Sequence, residues 1–249
     1  MASLVPSLTE LVVALGLRDR LVARTGYCIH PAEALAGVPK VGGTKDVNLA
    51  KLRRLAPTHV LVNIDENRSE TVDALREFVP NVVVTHPCDP QDNLALVEQM
   101  RAAFAGEPQV DARATALREA LEFELSAAAA PAGETVLYLI WHDPWMTVAR
   151  DTYISRMLAR IGWHTVPATT GGPSGAARYP ALRGDEPWLA DVQRVLLSSE
   201  PFAFDEHHAQ AAQLLCPQAR VQRVDGELLS WYGARAVAGL RYLRRLAQS

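Results

Sequence analysis

Side chains that could bind a transition-metal ion stand in five separate polar segments of the sequence. Cys28 and His30 form a Cys-x-His pair, and Glu66, His142 and Glu200 follow three apolar runs further along the chain. This mixture of sulfur, nitrogen and oxygen donors suits zinc or a related metal. A Cys-x-His pair alone has too few ligands for a stable site. Direct binding of a metal ion, with Cys28, His30 and His142 as ligands, is therefore one hypothesis.

A second set of side chains suits an apolar ligand with polar edges. The run from Trp141 to Met146 holds two tryptophans, a histidine and a methionine. Amphipathic aromatic side chains at a loop tip often line a binding surface, although a hydrophobic plug that closes one end of a sheet is the alternative. The candidate ligand-binding residues, which lie in or beside predicted loops, are Ser7, Tyr27, Gly43, Thr44, Asn63, Glu66, Trp141, Trp145, Arg150, Tyr153, Glu200, Trp231 and Tyr232.

The members of this set have different expected roles. Tyr27, Trp231 and the two tryptophans of the Trp141 segment supply apolar and stacking area. Arg150 can pair with carboxylate or phosphate groups of a ligand. Backbone amides near Ser7 and Gly43 can meet an anionic edge, because helix starts and glycine-rich turns expose N–H groups. The set thus offers apolar and stacking area beside groups that can pair with charged substituents of a ligand.

Catalytic chemistry is poorly supported by the sequence. Ser7, Cys28 and Ser230 are the nucleophiles that stand near plausible bases, and none of them lies in a nucleophile elbow. A covalent mechanism needs a base within hydrogen-bond reach of the nucleophile. We expect a protein that is not an enzyme, with a cytoplasmic α/β hydrolase as the alternative.

The elements that must position these residues alternate between strands and helices. Apolar runs of strand length, such as His59–Asn63 and Val192–Ser198, are each followed by a polar loop and an amphipathic stretch. This alternation predicts an α/β fold with parallel sheets. The Ser7–Glu10 segment, SLTE, has the pattern of a capping box at the first helix. His207 and His208, adjacent on a predicted helix, are expected to be surface residues.

One long helix separates the chain into two halves of similar plan. Residues 109–130 have Val110, Leu117 and Leu125 on one helical face. We therefore predict an N-terminal lobe over 1–107, a connecting helix over 108–131 and a C-terminal lobe over 132–249. Two Rossmann-like lobes with parallel-sheet cores and one connecting helix are the layout of a receptor with a ligand cleft between the lobes.

Composition excludes several functional classes. The net charge is −3 and acidic and basic residues are interspersed, so a nucleic-acid partner is not expected. No apolar run reaches the roughly 18 residues of a membrane helix, so the protein is not expected to be inserted in a membrane. The three cysteines are expected to be free thiols. The first residues, MASLVPSLTE, lack the pattern of a signal peptide, so we expect either a cytoplasmic location or a start that was trimmed or misassigned.

Five segments together resemble the helical-backbone periplasmic binding proteins of ABC importers, the metal-receptor type that takes up cobalamin, haem and iron-siderophores. The resemblance covers nearly the whole chain, and the order of the segments makes it specific. Besides the connecting helix, they are SLVPSLTELVVALG, VGGTKDVNLAKLRRLAPTHVLV, WMTVARDTYISRMLARIGW and DGELLSWYG.

This resemblance implies a non-catalytic, monomeric protein with no cofactor of its own. Its ligand would be a metal chelate, such as a cobalamin-like corrinoid, haem or a ferric siderophore, and its location the periplasm or cell envelope. An ABC permease would be its partner, docked through one carboxylate on each lobe. By position, the docking carboxylates would be Glu70 in the first lobe and Asp205 or Glu206 in the second. A connecting helix also implies a small opening on ligand release.

Overall fold

The computed structural model describes residues 1–126 and 133–248, and this part of the chain alternates between strands and helices as predicted. Its strands are β1 (Ala2–Ser3), β2 (Ala23–Arg24), β3 (His59–Asn63), β4 (Asn81–Thr85), β5 (Glu134–Leu139), β6 (Trp163–Thr165), β7 (Arg194–Ser198) and β8 (Arg220–Val224). Its α-helices are α1 (Pro6–Ala14), α2 (Leu49–Arg54), α3 (Ser69–Arg76), α4 (Asp92–Ala103), α5 (Pro108–Leu125), α6 (Tyr153–Ala159), α7 (Glu206–Leu215), α8 (Gly226–Ser230) and α9 (Arg235–Leu246).

The first compact unit comprises residues 1–87, 91–123 and 232–235. Its sheet is parallel throughout and has the strand order β2-β1-β3-β4. In the register of this sheet, Ser3 pairs with Leu61, and Asn63 with Thr85. Buried aliphatic residues of the strands, such as Val60 and Val62, form its core with residues of the flanking helices.

The second compact unit comprises residues 88–90, 124–231 and 236–249. Its parallel sheet has the strand order β6-β5-β7-β8, which repeats the plan of the first sheet. Leu139 pairs with Leu197, and Ser198 with Val224. The predicted α/β fold with two parallel-sheet cores is therefore confirmed.

The predicted capping box at the first helix is wrong. Val5 is the N-cap of α1 and makes no side-chain cap, because Pro6 already occupies the first helical turn. Ser7 consequently lies inside the helix, where its side chain is buried. Glu10 instead forms a two-pronged ion pair with Arg235, at 2.7 and 3.0 Å.

The long helix predicted over 109–130 is present as α5, which ends at Leu125. Its predicted apolar face is buried at Val110 and Leu125, while the predicted continuation from residue 127 lies outside the described residues. Near its end, the buried carboxylate of Glu124 binds the guanidinium groups of Arg241 and Arg244 on α9. Burial alone would raise the pKa of Glu124, but these hydrogen bonds outweigh it and hold the pKa below its usual value.

Two short elements were not predicted. Strand β6 has only three residues, Trp163–Thr165, and lacks the apolar run by which longer strands are recognised. Helix α8, Gly226–Ser230, lies between the last strand and the last helix, and the Asp225 carboxylate caps it by accepting a hydrogen bond from the Leu228 amide at 3.0 Å. Both elements border candidate site residues in the second unit.

Candidate functional site

The strand order predicts where a ligand site would lie in each sheet. In an open parallel sheet, ligands bind at the carboxyl ends of the strands where the order reverses. This point lies between β1 and β3 in the first sheet and between β5 and β7 in the second. Of the candidate ligand-binding residues, Glu66, Trp141, Trp145, Arg150 and Glu200 lie in the loops after β3, β5 and β7, whereas Tyr27, Gly43 and Thr44 lie in the segment after β2.

Exposed apolar side chains lie beyond the carboxyl ends of strands in both sheets. Six large hydrophobic residues of the described ranges are exposed, and four of them follow strands. In the first unit they are Tyr27, 65% exposed, Ile29 and Ile64, and in the second unit Trp141, 41% exposed. The sequence had not singled out Ile29 and Ile64; the available signal was an apolar residue placed just beyond a strand end.

Tyr27 and Gly43 are brought together in the first unit. The Tyr27 ring lies against Gly43, where a Cβ atom would stand 3.2 Å from the ring. The neighbouring Gly42 has φ +99°, and its carbonyl accepts a hydrogen bond of 2.7 Å from the Gly26 amide. The loop after β2 and the glycine turn thus hold one exposed phenol ring in place.

Two asparagines shape the loop after β3. The Asn63 side-chain oxygen accepts hydrogen bonds from the amides of Asp65 and Glu66, at 2.8 and 3.3 Å. Asn67, which the sequence had not singled out, caps the Asn63 amide at 2.9 Å and donates to the Thr44 carbonyl at 2.9 Å. Asn63 and Thr44 therefore contribute to the framework of this loop, and Glu66 projects from it.

Glu66 and Tyr232 meet although 165 residues lie between them in sequence. The buried Tyr232 hydroxyl donates to the Glu66 carboxylate at 3.1 Å, and Ser7 and Thr85 are close to it. Burial, and then the negative charge of Glu66, raise the pKa of Tyr232 well above its ordinary value. The hydroxyl therefore stays protonated, and remains a hydrogen-bond donor, above the pH at which an ordinary tyrosine ionises.

Charged groups surround this contact. The Lys45 ammonium donates to the Asp65 carbonyl at 2.7 Å, and His86 lies 3.4 Å from the Asp65 carboxylate. Partial burial lowers the pKa of Lys45, while the carboxylates of Glu66 and Asp65 act in the opposite direction. The first unit thus presents exposed apolar side chains beside a group of alternating charges.

The second unit presents a cluster of rings instead. His142 contacts Trp145 edge to face with ring centroids 4.3 Å apart, and lies 4.9 Å from His208. Trp141 packs on Phe202 at 5.3 Å. The prediction that His208 is a surface residue is wrong, since its ring is largely covered by this cluster, whereas His207 is exposed as predicted.

Glu200 organises the segment before the last helix. Its carboxylate accepts a hydrogen bond from the Ser230 hydroxyl at 2.6 Å and from the Trp231 indole N–H at 2.8 Å. Trp231 is buried, so this contact fixes its ring inside the second unit. Gly226 makes the approach possible, because a Cβ atom there would lie 2.8 Å from the Glu200 side chain.

The structure does not support the predicted metal ligands. Cys28 is fully buried beside the Thr25 hydroxyl, at 3.1 Å, and burial raises the pKa of its thiol. A metal needs the thiolate form, which this environment disfavours. His30 is partly exposed, and His142 is occupied by ring contacts. Within the described ranges, no group of three or more His, Cys, Asp or Glu side chains is arranged to hold a metal ion.

Arg150 and Tyr153 lie beside a different part of the second sheet. Tyr153 is buried at the start of α6. The Arg150 guanidinium donates to the Thr165 carbonyl of β6 at 3.1 Å, and the side chain lines a cavity with residues of α6 and β6. The aromatic residues of the ring cluster do not line this cavity.

The carboxylates predicted to dock a permease occupy related positions. Glu70 is exposed in the first turn of α3, which follows β3, and Glu206 is exposed in the first turn of α7, which follows β7. Asp205 caps α7, and hydrogen bonds from His208 lower its pKa. Glu206 also lies 3.2 Å from Arg223.

Comparison with known proteins places this site in context. No helix in the described ranges is long and apolar enough to span a membrane. A vitamin B12-binding protein of Vibrio parahaemolyticus is 24% identical over 213 residues, which are 84% of this chain and 71% of that protein.

Solved structures share the fold. The periplasmic vitamin B12-binding protein BtuF of Vibrio cholerae matches with a TM-score of 0.80 at 21% identity, covering 100% of this chain and 97% of the other. The periplasmic haem-binding protein HutB of the same organism matches with a TM-score of 0.76 at 21% identity, over 99% and 96% of the two chains. The model of the periplasmic binding protein family matches residues 1–181, well over half of the 249 residues, and the chain therefore belongs to that family.

Proposed function

We propose that this protein is the substrate-binding component of an ABC importer and that it binds a metal chelate with a large ring-shaped body. The observation that carries this proposal is the presence of exposed apolar side chains beyond the carboxyl ends of strands in both sheets. Each unit offers such a surface by itself, with Tyr27, Ile29 and Ile64 exposed in the first unit and Trp141 in the second. Burial of that surface is the main source of affinity for a ring of this size.

Polar groups beside the apolar side chains would orient the ligand. The Lys45 ammonium and the Glu66 carboxylate in the first unit can meet charged or amide substituents at the edge of a ring. His142 and Trp145 can add stacking area in the second unit. A corrinoid is the first ligand to test, because the similar Vibrio proteins include vitamin B12-binding ones; haem and a ferric siderophore follow.

Import would require a permease and a location outside the inner membrane. Membership of the periplasmic binding protein family supports a periplasmic location. We propose that Glu70 and Glu206 dock the permease, since the two carboxylates stand at equivalent helix starts in the two sheets. Asp205 is a weaker candidate, because its carboxylate already caps α7.

Titration with defined ligands tests the proposal. Cyanocobalamin, haemin, ferrichrome and zinc chloride are each added to the purified protein while tryptophan fluorescence and binding heat are measured. We expect one of the three chelates to bind saturably and to quench the emission of Trp141. Zinc alone is expected to give no saturable heat, because the Cys28 thiol is buried.

Two tryptophan variants locate the binding. Trp141→Phe should remove much of the quench, while Trp188→Phe should keep it, because Trp188 packs against the core of the second unit. Saturable binding of zinc with no binding of any chelate would replace the proposal by the metal-ion hypothesis. Binding of neither would refute both.

A further inference from the structure

A cavity of about 230 Å³ lies on the second unit, between α6 and the edge strand β6. Arg150 and Arg156 contribute to its lining, together with Trp163, His164 and the hydroxyl residues Ser155 and Thr165. None of its lining residues, all of them in the described part of the chain, carries a carboxylate. Two guanidinium groups therefore face one small space without an acidic residue in its wall.

The walls of this cavity are held in place by neighbouring contacts. The Ser155 and Thr165 hydroxyls are hydrogen-bonded to each other at 2.5 Å, which ties α6 to β6. Trp163 is buried, and the Arg194 guanidinium stacks over its ring at 4.6 Å. The charge of Arg194 is balanced by Glu134, to which it makes a two-pronged ion pair. A rigid wall lowers the ordering cost of binding a small ligand.

The two arginines keep donors available for a ligand. Arg150 uses its Nε atom for the Thr165 carbonyl and is otherwise exposed. Arg156 forms an ion pair with Asp89 at 3.8 Å, a distance too long for a hydrogen bond. Both side chains of this pair are more than a third exposed. Exposed pairs of this kind contribute little and yield to a better-placed anion. Asp151 is the acidic residue next to Arg150 in sequence, and both of its carboxylate oxygens accept hydrogen bonds from the Gly171 and Gly172 amides.

We propose that this cavity is a second ligand site, which binds a small oxyanion through the guanidinium groups of Arg150 and Arg156. The shared chemistry is that of a phosphate or carboxylate group, since planar guanidinium donors match both. The volume admits such a group together with a small organic body, which would rest beside Trp163. This site goes beyond the proposed chelate site. The exposed apolar residues assigned to the chelate, Tyr27, Ile29, Ile64 and Trp141, do not line the cavity.

Nuclear magnetic resonance of the intact protein tests the site. Inorganic phosphate and citrate are titrated separately against chloride at constant ionic strength, and the five tryptophan indole N–H signals are followed. The Trp163 signal is assigned with Trp163→Phe. We expect a saturable shift of that signal with at least one probe; phosphate alone would identify a phosphoryl ligand, and citrate alone a carboxylate.

Matched variants test the role of the arginines. Arg150→Gln/Arg156→Gln should weaken binding at least about tenfold, the effect expected from losing charge-assisted hydrogen bonds. The control Arg76→Gln/Arg183→Gln removes the same charge from exposed arginines that pair with Asp73 and Asp185, and should leave the affinity unchanged. Arg150→Lys/Arg156→Lys serves if the first variant does not fold, and should bind more weakly than the native protein.

Three outcomes would overturn the proposal. They are a Trp163 signal unmoved by both probes, an affinity unchanged in Arg150→Gln/Arg156→Gln, and an equal loss in the control variant. The probes contain no metal and no ring. Failure of cyanocobalamin, haemin and ferrichrome to bind would therefore refute the proposed function without changing this result.

Discussion

The two sheets share one strand order, yet the groups at their carboxyl ends differ in kind. In the first unit, the side-chain amides of Asn63 and Asn67 shape the loop after β3 through hydrogen bonds with backbone groups, and the charged groups of Glu66 and Lys45 lie beside it. In the second unit, rings pack on one another, as with His142, Trp145 and Phe202. The same topology therefore supports one hydrogen-bonded surface and one aromatic surface.

This difference separates two tasks of the chain. Strand order sets where a ligand site can lie, since only the carboxyl ends at the order reversal are left open. Loop composition sets what the site can recognise, since each loop contributes its own groups. The hydrogen-bonded surface should be sensitive to backbone changes and the aromatic surface to loss of side-chain area.

Among the substitutions that compare the two units, those at glycine residues should cause the largest loss in the free energy of unfolding. Gly42→Ala places a Cβ atom 2.2 Å from the Asp46 carbonyl at φ +99°, so we expect a loss of about 4 kcal/mol in the free energy of unfolding. Gly226→Ala places a Cβ atom 2.3 Å from the Ser198 hydroxyl without the strained φ, and should cost about 2 kcal/mol. Urea unfolding measures both.

The control for both glycines is Gly106→Ala. A Cβ atom there meets nothing within 4 Å, so its free energy of unfolding should stay within about 0.5 kcal/mol of the native value. Equal losses at Gly42 and Gly226 would mean that steric crowding alone decides the cost. The first unit would then not depend more strongly on its backbone geometry.

Carboxylate removal should distinguish the two surfaces next. Glu200→Ala removes the acceptor of both the Ser230 hydroxyl and the buried Trp231 indole, and should cost about 3 kcal/mol. Glu66→Ala removes one acceptor of Tyr232, whose hydroxyl has Ser7 and Thr85 nearby, and should cost about 1 kcal/mol. Thermal and urea unfolding give the two values.

The amide variant of Glu200 serves as the control. Glu200→Gln keeps one side-chain acceptor oxygen and should lose about half as much free energy as Glu200→Ala. A larger loss at Glu66 than at Glu200 would show that Tyr232 has no adequate alternative to the carboxylate. The expected order of the two carboxylates in stability would then be reversed.

Much of the framework was predictable from local sequence. The run His59–Asn63 is apolar, bounded by polar residues, and forms β3 with the predicted limits. The alternation of such runs with amphipathic stretches predicted the parallel sheets. Helix α1 was found, but its cap was not, because Pro6 at the first turn moved the start ahead of Ser7.

Site geometry was less predictable because it depends on tertiary contacts. Glu66 and Tyr232 were both singled out, but nothing local shows that they meet. Cys28 and Tyr27 are neighbours in sequence, yet one is buried and the other 65% exposed, and this decides which can reach a ligand. His208 belongs to the ring cluster because it contacts Phe202 and His142. Nothing in the local sequence shows that these three rings meet.

Ring removal should sharpen the comparison at the level of ligand affinity. If the proposed function holds, Trp141→Ala should weaken binding of the chelate about tenfold, and Tyr27→Ala about fivefold, in proportion to ring size. The control Leu214→Ala removes an exposed side chain near the end of α7, not in a loop that directly follows a strand. It should leave the affinity unchanged. Calorimetric titration measures all three, and equal losses at Leu214 and Trp141 would contradict the assignment.

Alkaline titration compares one buried tyrosine from each unit. Tyr232 in the first unit and Tyr138 in the second have pKa values raised chiefly by burial. Above pH 10.0, the ordinary value of tyrosine, the unfolded chain loses these protons while the folded chain keeps them, so stability falls as pH rises.

Each such tyrosine contributes a slope of about 1.4 kcal/mol per pH unit. Tyr232→Phe and Tyr138→Phe should each reduce the steepness of that fall by one proton, whereas Tyr27→Phe, at an exposed ring, should not change it. Urea unfolding at a series of pH values between 9 and 11 measures the slopes. A reduced slope in Tyr138→Phe alone would mean that the Tyr232 hydroxyl ionises in the folded protein, which its contact with the Glu66 carboxylate opposes.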